Sequence, residues 1–351
     1  MTNELFVAAT ALALAATFAW GFRALPGERW QFLATYPVSR EADGSWRGVN
    51  VTWYGVFGAV AAVAAAMLAA VLMGSIGIPL AASLGLVGAL LLITMPAARI
   101  VARIVEGRRH TFTVGGASFV GLVCFPFLVA AADRWIAPAF GVRLPVVATL
   151  AAMSVAYALG EAIGRLGCIS FGCCYGRPLA GAPGWVRRLF ARWHFVFHGP
   201  TRKVAYAGHL EGEPVIPVQA ITASVYAVAA LCGTWLYLRG HYAAALLVSM
   251  LTTQVWRVLS ELLRADFRGD QFPTVYQWLA LGGVVFTTVL VLVVRDRAVV
   301  PSPDVAAGVA SLWDPLALIA FRVIWVATLA WMGRSTVTTA RLTFGVVADH
   351  A

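Results

Sequence analysis

Charge is scarce in this chain. Of 351 residues only 12% are Asp, Glu, Lys or Arg, against 60% hydrophobic, where a soluble domain carries about 25% charged and roughly 45–50% apolar residues. The mean hydropathy is +0.80. Too little polar surface is left to cover a water-soluble fold of this size, which excludes a cytosolic enzyme and a disordered chain. Cysteine is scarce as well, and five thiols in 351 residues cannot staple a secreted disulfide scaffold. Lysine is nearly missing, with Lys203 alone. Acidic residues number 16 against 26 basic ones, for a formal net charge of +10. The positive charge is therefore almost all guanidinium, whose planar fork grips phosphate through two bonds. No basic domain stands clear of the apolar segments, so the expected anionic partner is the lipid bilayer and its head groups, not nucleic acid.

Long apolar runs are what the chain does have. A helix needs about 20 apolar residues to cross the hydrocarbon. Such runs lie near 5–22, 53–73, 78–104, 115–133, 146–164, 217–238, 242–263, 274–294 and 316–333. They predict an all-α polytopic membrane protein of eight or nine spans, with the backbone polar groups satisfied inside helices. The first run follows Glu4, lacks a basic leader and precedes Arg23, so it reads as a retained span and not as a signal peptide. Segments 74–77 and 239–241 are turns, whereas 23–50, 105–114, 165–216 and 264–273 are long and rich in Arg, Trp and Gly. If every run spans, those four long segments share one face of the membrane. The positive-inside rule weighs mainly short loops, so charge alone leaves the sidedness of that face open.

Four features carry chemistry. The densest runs from Gly164 to Pro178, where Arg165 and Arg177 flank Gly167, Cys168, Gly172, Cys173, Cys174 and Gly176. Glycines let a backbone approach a ligand closely, and arginines at a span terminus suit a phosphodiester. The second is Trp256-Arg257, Glu261, Arg264, Asp266, Arg268 and Asp270. Arg257 and Glu261 are four apart and share a helix face, and an ionisable residue inside a span marks function. The third is Asn50-Val51-Thr52-Trp53-Tyr54-Gly55, where polar and aromatic groups enter a span. The fourth is Arg108-Arg109-His110, leading into Gly115-Gly116-Ala117-Ser118-Phe119.

These features, in this order, resemble the prolipoprotein diacylglyceryl transferase family. The matching stretches are Trp53-Tyr54-Gly55, Gly115 to Phe119, Gly164 to Arg177, Ile216-Pro217-Val218-Gln219, and Arg257 to Arg264, over roughly residues 50–295. The resemblance implies a seven-span core at 50–297, with an added span and polar segment at 1–49 and a linker with an extra span at 298–351. It implies transfer of a diacylglyceryl group from phosphatidylglycerol onto the thiol of a prolipoprotein, without a cofactor, at the periplasmic face of the bacterial inner membrane. By residue matching, Arg165 and Arg257 hold the lipid phosphate. Gly167, Gly176, Glu261, Arg264 and Tyr54 match other family positions, and Arg177 joins them as a substrate-binding candidate.

The chain departs from the family where protons would move. Val120 and Ile216 stand where the family has histidines, Cys168 and Phe171 replace signature asparagines, Cys173 replaces a glutamate, and Thr253 replaces a tyrosine. Thiolates near arginine are nucleophilic, which makes Cys168, Cys173 and Cys174 the catalytic candidates. Their Cys-x4-Cys-Cys spacing matches no common zinc motif, so no metal is expected from it. The alternatives are a non-catalytic phospholipid-binding or transport protein on the same fold, and a membrane thiol redox protein. The segment 178–216 reads as an arm on the lipid surface, with Trp185, Trp193, Phe195 and Phe197 as anchors. Of its histidines 194, 198 and 209, one is a candidate general base.

Overall fold

The computed structural model describes residues 1–107, 114–269, 271–294, 300–347 and 349. The elements run α1 (Asn3–Ala24), β1 (Phe32–Arg40), β2 (Trp46–Thr52), α2 (Trp53–Ser75), α3 (Leu80–Glu106), α4 (Val114–Ala131) and α5 (Val146–Phe171). There follow α6 (Gly184–Phe190), β3 (Phe195–Val196), α7 (Lys203–Tyr206), β4 (Pro214–Val215), α8 (Val218–Leu238), α9 (Tyr242–Glu261), α10 (Val275–Val293), α11 (Val305–Ala310), α12 (Pro315–Met332) and β5 (Arg334–Leu342). Among the described residues nine helices are long and apolar enough to cross a membrane: α1 to α5, α8, α9, α10 and α12. The chain is a multi-pass, mainly helical membrane protein.

The helix α5 is the centre of the bundle. It packs against α2, α8 and α9, and alanines such as Ala148, Ala151, Ala152, Ala158 and Ala162 are buried along it. Small side chains let the neighbouring backbones come close, which is how helices associate where lipid is as apolar as leucine. Lipid-facing helices look different: α3 and α12 leave Leu92, Ile100, Ile104, Ile319 and Val323 exposed.

Hydrogen bonds show which helix ends gather on each side. At one end Arg239 pairs with Glu4 at 2.8 Å, the Asp304 amide donates to Ser75 at 2.8 Å, and the Tyr242 hydroxyl donates to Pro301 at 3.2 Å. At the other, the Trp53 amide donates to Gln31 at 3.1 Å, Gln219 to Cys173 at 2.9 Å, and the Ala265 amide to Tyr175 at 3.0 Å. The long segments 23–50, 165–216 and 264–269 therefore lie on one face. Arg108, Arg109, His110 and Asp270 fall outside the described residues.

Two parts of the chain differ from the sequence reading. Strands β1, β2 and β5 form an antiparallel sheet in the order β1-β2-β5, so the polar segment after α1 and the tail after α12 are joined. Asn50 accepts from Thr35 at 2.7 Å and donates to Thr338 at 3.1 Å, and the Thr52 amide donates to Gly333 at 2.9 Å. The polar residues before Trp53 thus belong to a strand. The second correction concerns the supposed surface arm. Trp185 and Trp193 are exposed, but Phe195, Phe197 and Arg202 are buried. Arg202 donates to the carbonyls of Ile169 at 3.1 Å, Leu25 at 3.2 Å and Gly27 at 2.5 Å. Burial pushes its guanidinium down to about 10, still charged at neutral pH, and the side chain clamps the segment onto the end of α5.

Candidate active site

Two guanidiniums from different helices meet at one carboxylate. On α5, Arg165 Nη2 lies 2.7 Å from Glu161 Oε2, one helical turn back. From α9, Arg257 Nη2 reaches the same oxygen at 3.2 Å and donates to the Tyr157 hydroxyl at 2.7 Å. All three charged side chains are nearly buried, with exposures of 12% or less. Two cations sharing one anion leave a single positive charge in a low-dielectric setting, the complement of one phosphodiester. Glu161 was not singled out from the sequence, although an ionisable residue four before Arg165 in an alanine-rich span is the signal that flags Glu261.

The cluster sits between two cavities. A small polar pocket of about 20 Å³ is lined by Arg165, Cys174, Gln219, Tyr226, Arg257 and Arg264, among others. Beside it an apolar cavity of about 360 Å³ runs between α2, α3, α4 and α5. Tyr54, Tyr157, Glu161, Arg165 and Cys168 stand on its wall, and Ala61, Ala65, Ala69, Leu90, Leu91 and Met153 line its depth. Two residues lining the polar pocket carry buried atoms without a hydrogen-bond partner, Arg257 Nε and Gln219 Oε1. Unpaired buried polar atoms are costly, and both belong to residues that line this small pocket.

The helix α5 ends in a reversal that positions the thiols. Gly172, at φ 68°, adopts the left-handed conformation that closes a helix cheaply, and the Cys173 amide donates back to Cys168 at 3.1 Å. Cys174 also has a positive φ, 56°. The turn brings Cys168, Cys173 and Cys174 together, with their Sγ atoms within 4.8 Å of one another, and all three thiols are free. Arg165 Nη1 lies 3.9 Å from Cys168 Sγ and 4.0 Å from Cys174 Sγ. Hydrogen bonds from the other two thiols, with Arg264 and Arg165 beside it, hold the Cys174 thiol well below the usual range, and the same coupling pushes Cys173 up. Among the described residues, these three side chains offer a ligand set for a soft metal ion.

The remaining sequence candidates separate. Glu261 does not pair with Arg257; it faces Arg264 at 3.5 Å and Arg268 at 3.2 Å. Arg264 also closes a two-bond pair with Asp266, at 2.7 and 2.6 Å. Gly167 allows α5 to approach α2, since a Cβ there would stand 3.1 Å from the Tyr54 carbonyl oxygen. Gly176 lies against Ile216 in the same way. Arg177 is exposed, its backbone amide donates to Leu263 at 2.9 Å, and it lines neither cavity. Histidines 194, 198 and 209 line neither cavity either, and His194 Nδ1 donates to the Phe190 carbonyl at 3.1 Å.

No curated protein matches the chain. The sequence model of the prolipoprotein diacylglyceryl transferase family matches residues 45–293, a stretch that runs from β2 through α10 and includes both arginines, Glu161 and the three thiols. The match covers most of the chain, which belongs to the prolipoprotein diacylglyceryl transferase family.

Proposed function

We propose that the chain transfers a diacylglyceryl group from phosphatidylglycerol to a thiol, with a prolipoprotein cysteine as acceptor. The observation that carries this reading is the Arg165–Glu161–Arg257 cluster beside an apolar cavity whose wall includes Arg165 and Glu161. The acyl chains occupy the cavity, the phosphate takes the donors that Arg165 and Arg257 do not spend on Glu161, and Gln219 Oε1 accepts from a glycerol hydroxyl. In the reaction the acceptor sulfur forms a bond to the glyceryl C3. The C3–O bond to phosphate breaks, its electron pair leaves with glycerol phosphate, and the thiol proton is released. The two guanidiniums stabilise the charge that grows on the leaving phosphate oxygen. Residues 50–297 carry the chemistry, residues 1–49 and 298–351 are additions to that core, and the working face is the periplasmic side of the bacterial inner membrane.

Purified chain mixed with phosphatidylglycerol and a lipobox peptide is expected to release glycerol phosphate. Arg165→Ala and Arg257→Ala each lower that release about 100-fold. One observation favours a second reading, a phospholipid carrier: Val120 and Ile216 supply no group for proton transfer where the family has histidines. Lipid that copurifies with the chain without any glycerol phosphate release would establish the carrier and remove the transferase.

A further inference from the structure

The three thiols are unused by the phosphate site, and their arrangement is that of a ligand set. Around a tetrahedral zinc ion at a Zn–S distance of about 2.3 Å, sulfurs stand about 3.8 Å apart. The Sγ atoms of Cys168, Cys173 and Cys174 already lie within 4.8 Å of one another, so a shift of about 1 Å or less closes them on a common centre. The turn that gathers them is held on both sides. The Cys173 amide donates to Cys168, and the Cys173 carbonyl accepts from Gln219 Nε2 at 2.9 Å. Arg165 Nη1 lies 3.9 and 4.0 Å from two of the sulfurs, the kind of outer N–H contact that supports metal-bound thiolates.

The position of the cluster identifies the ion. Cys174 lines the polar pocket and Cys168 lines the apolar cavity, so two of the three sulfurs border open space, and the larger apolar cavity gives a fourth ligand an approach. Copper(I) is content with three thiolates, whereas zinc(II) requires a fourth ligand. Three protein ligands with an open position are the mark of a catalytic zinc, and a thiol bound there is deprotonated outright. An acceptor thiol needs that step, because Val120 and Ile216 cannot take its proton.

We propose that Cys168, Cys173 and Cys174 form a three-thiolate site for a thiophilic divalent cation of the zinc(II) class, whose fourth position takes the acceptor thiol as its thiolate. Binding of the cation stands on the sulfurs alone; the identity of the fourth ligand rests on the transferase reading. The acceptor sulfur displaces a bound water, its S–H proton leaves with that water, and neither oxidation nor reduction is involved.

The full-length chain, purified in detergent, reduced and stripped with chelator, is titrated with cobalt(II). One equivalent is expected to bind with a thiolate-to-cobalt charge-transfer band, and one equivalent of zinc(II) abolishes it. A lipobox peptide raises the band by about a third, from three sulfurs to four, whereas the peptide with serine for its cysteine leaves it unchanged. Cys174→Ser lowers the band and Cys124→Ser does not. No cobalt or zinc uptake by the reduced wild-type chain overturns the proposal without depending on any variant, as does a band that ignores the peptide thiol. Undiminished glycerol phosphate release by metal-free chain overturns it as well, and leaves the transferase reading standing. Cobalt uptake with a peptide response but no glycerol phosphate release supports the site and overturns the transferase reading instead.

Discussion

Arg257 and Arg264 lie seven residues apart on one stretch of chain, yet they are built into opposite kinds of cluster. Arg257 shares Glu161 with Arg165, so two buried cations divide one carboxylate, and its Nε has no partner. Arg264 gives Nε and Nη2 to Asp266 and turns Nη1 to Glu261, which also holds Arg268. Both arginines line the polar pocket. One cluster has hydrogen-bonding capacity to spare and the other has committed its own. A buried, fully paired network rigidifies a fold, whereas a cluster with an unpaired buried donor keeps capacity for a further partner. The comparison teaches that an arginine in a span is read by the partners it lacks as much as by its position.

The largest effect is expected from Glu161→Gln, which leaves two guanidiniums without their shared charge. Glycerol phosphate release is expected to fall about 100-fold or more, with a loss of stability of about 3–5 kcal/mol from uncompensated buried charge. Asp266→Asn tests the other cluster. It is expected to cost about 1–3 kcal/mol, read as a lower thermal midpoint in detergent, with an unchanged KM for phosphatidylglycerol. A KM raised as far as in an Arg257→Ala chain would erase the distinction between the two clusters. The smallest effect is expected from Arg177→Ala, at the exposed end of the same glycine-rich turn. Its stability stays within about 0.5 kcal/mol of the parent, and lipid turnover stays within twofold.

Much of the site was legible because charge inside a span is expensive and so stands out in hydropathy. Arg165 and Arg257 were visible for that reason, and so was the cysteine-rich turn. Glu161 was equally visible by the same rule but lay just before Gly164, where the glycine- and cysteine-rich stretch begins. The sheet left a fainter trace. β5 reads Arg-Ser-Thr-Val-Thr-Thr-Ala-Arg-Leu, rich in β-branched residues that favour strands, but its partner β2 begins 288 residues earlier at Trp46. Arg202 misled in the opposite direction. A polar segment with exposed tryptophans suggests a wet surface, and nothing local reveals that three carbonyls from two distant segments converge on that guanidinium.

The amino-acid order by itself determined that the chain crosses the membrane eight or nine times, that the long segments share one face, and roughly where the helices lie. Those properties follow from the length of apolar runs and from local turn chemistry, both of which act over a few residues or one bilayer thickness. Tertiary packing alone decided which cation met which anion. An Arg257–Glu261 contact one turn apart is worth only about 0.2–0.5 kcal/mol, less than a desolvated carboxylate held between α5 and α9 can command. It also decided that three sulfurs, spread over seven residues, face a single point.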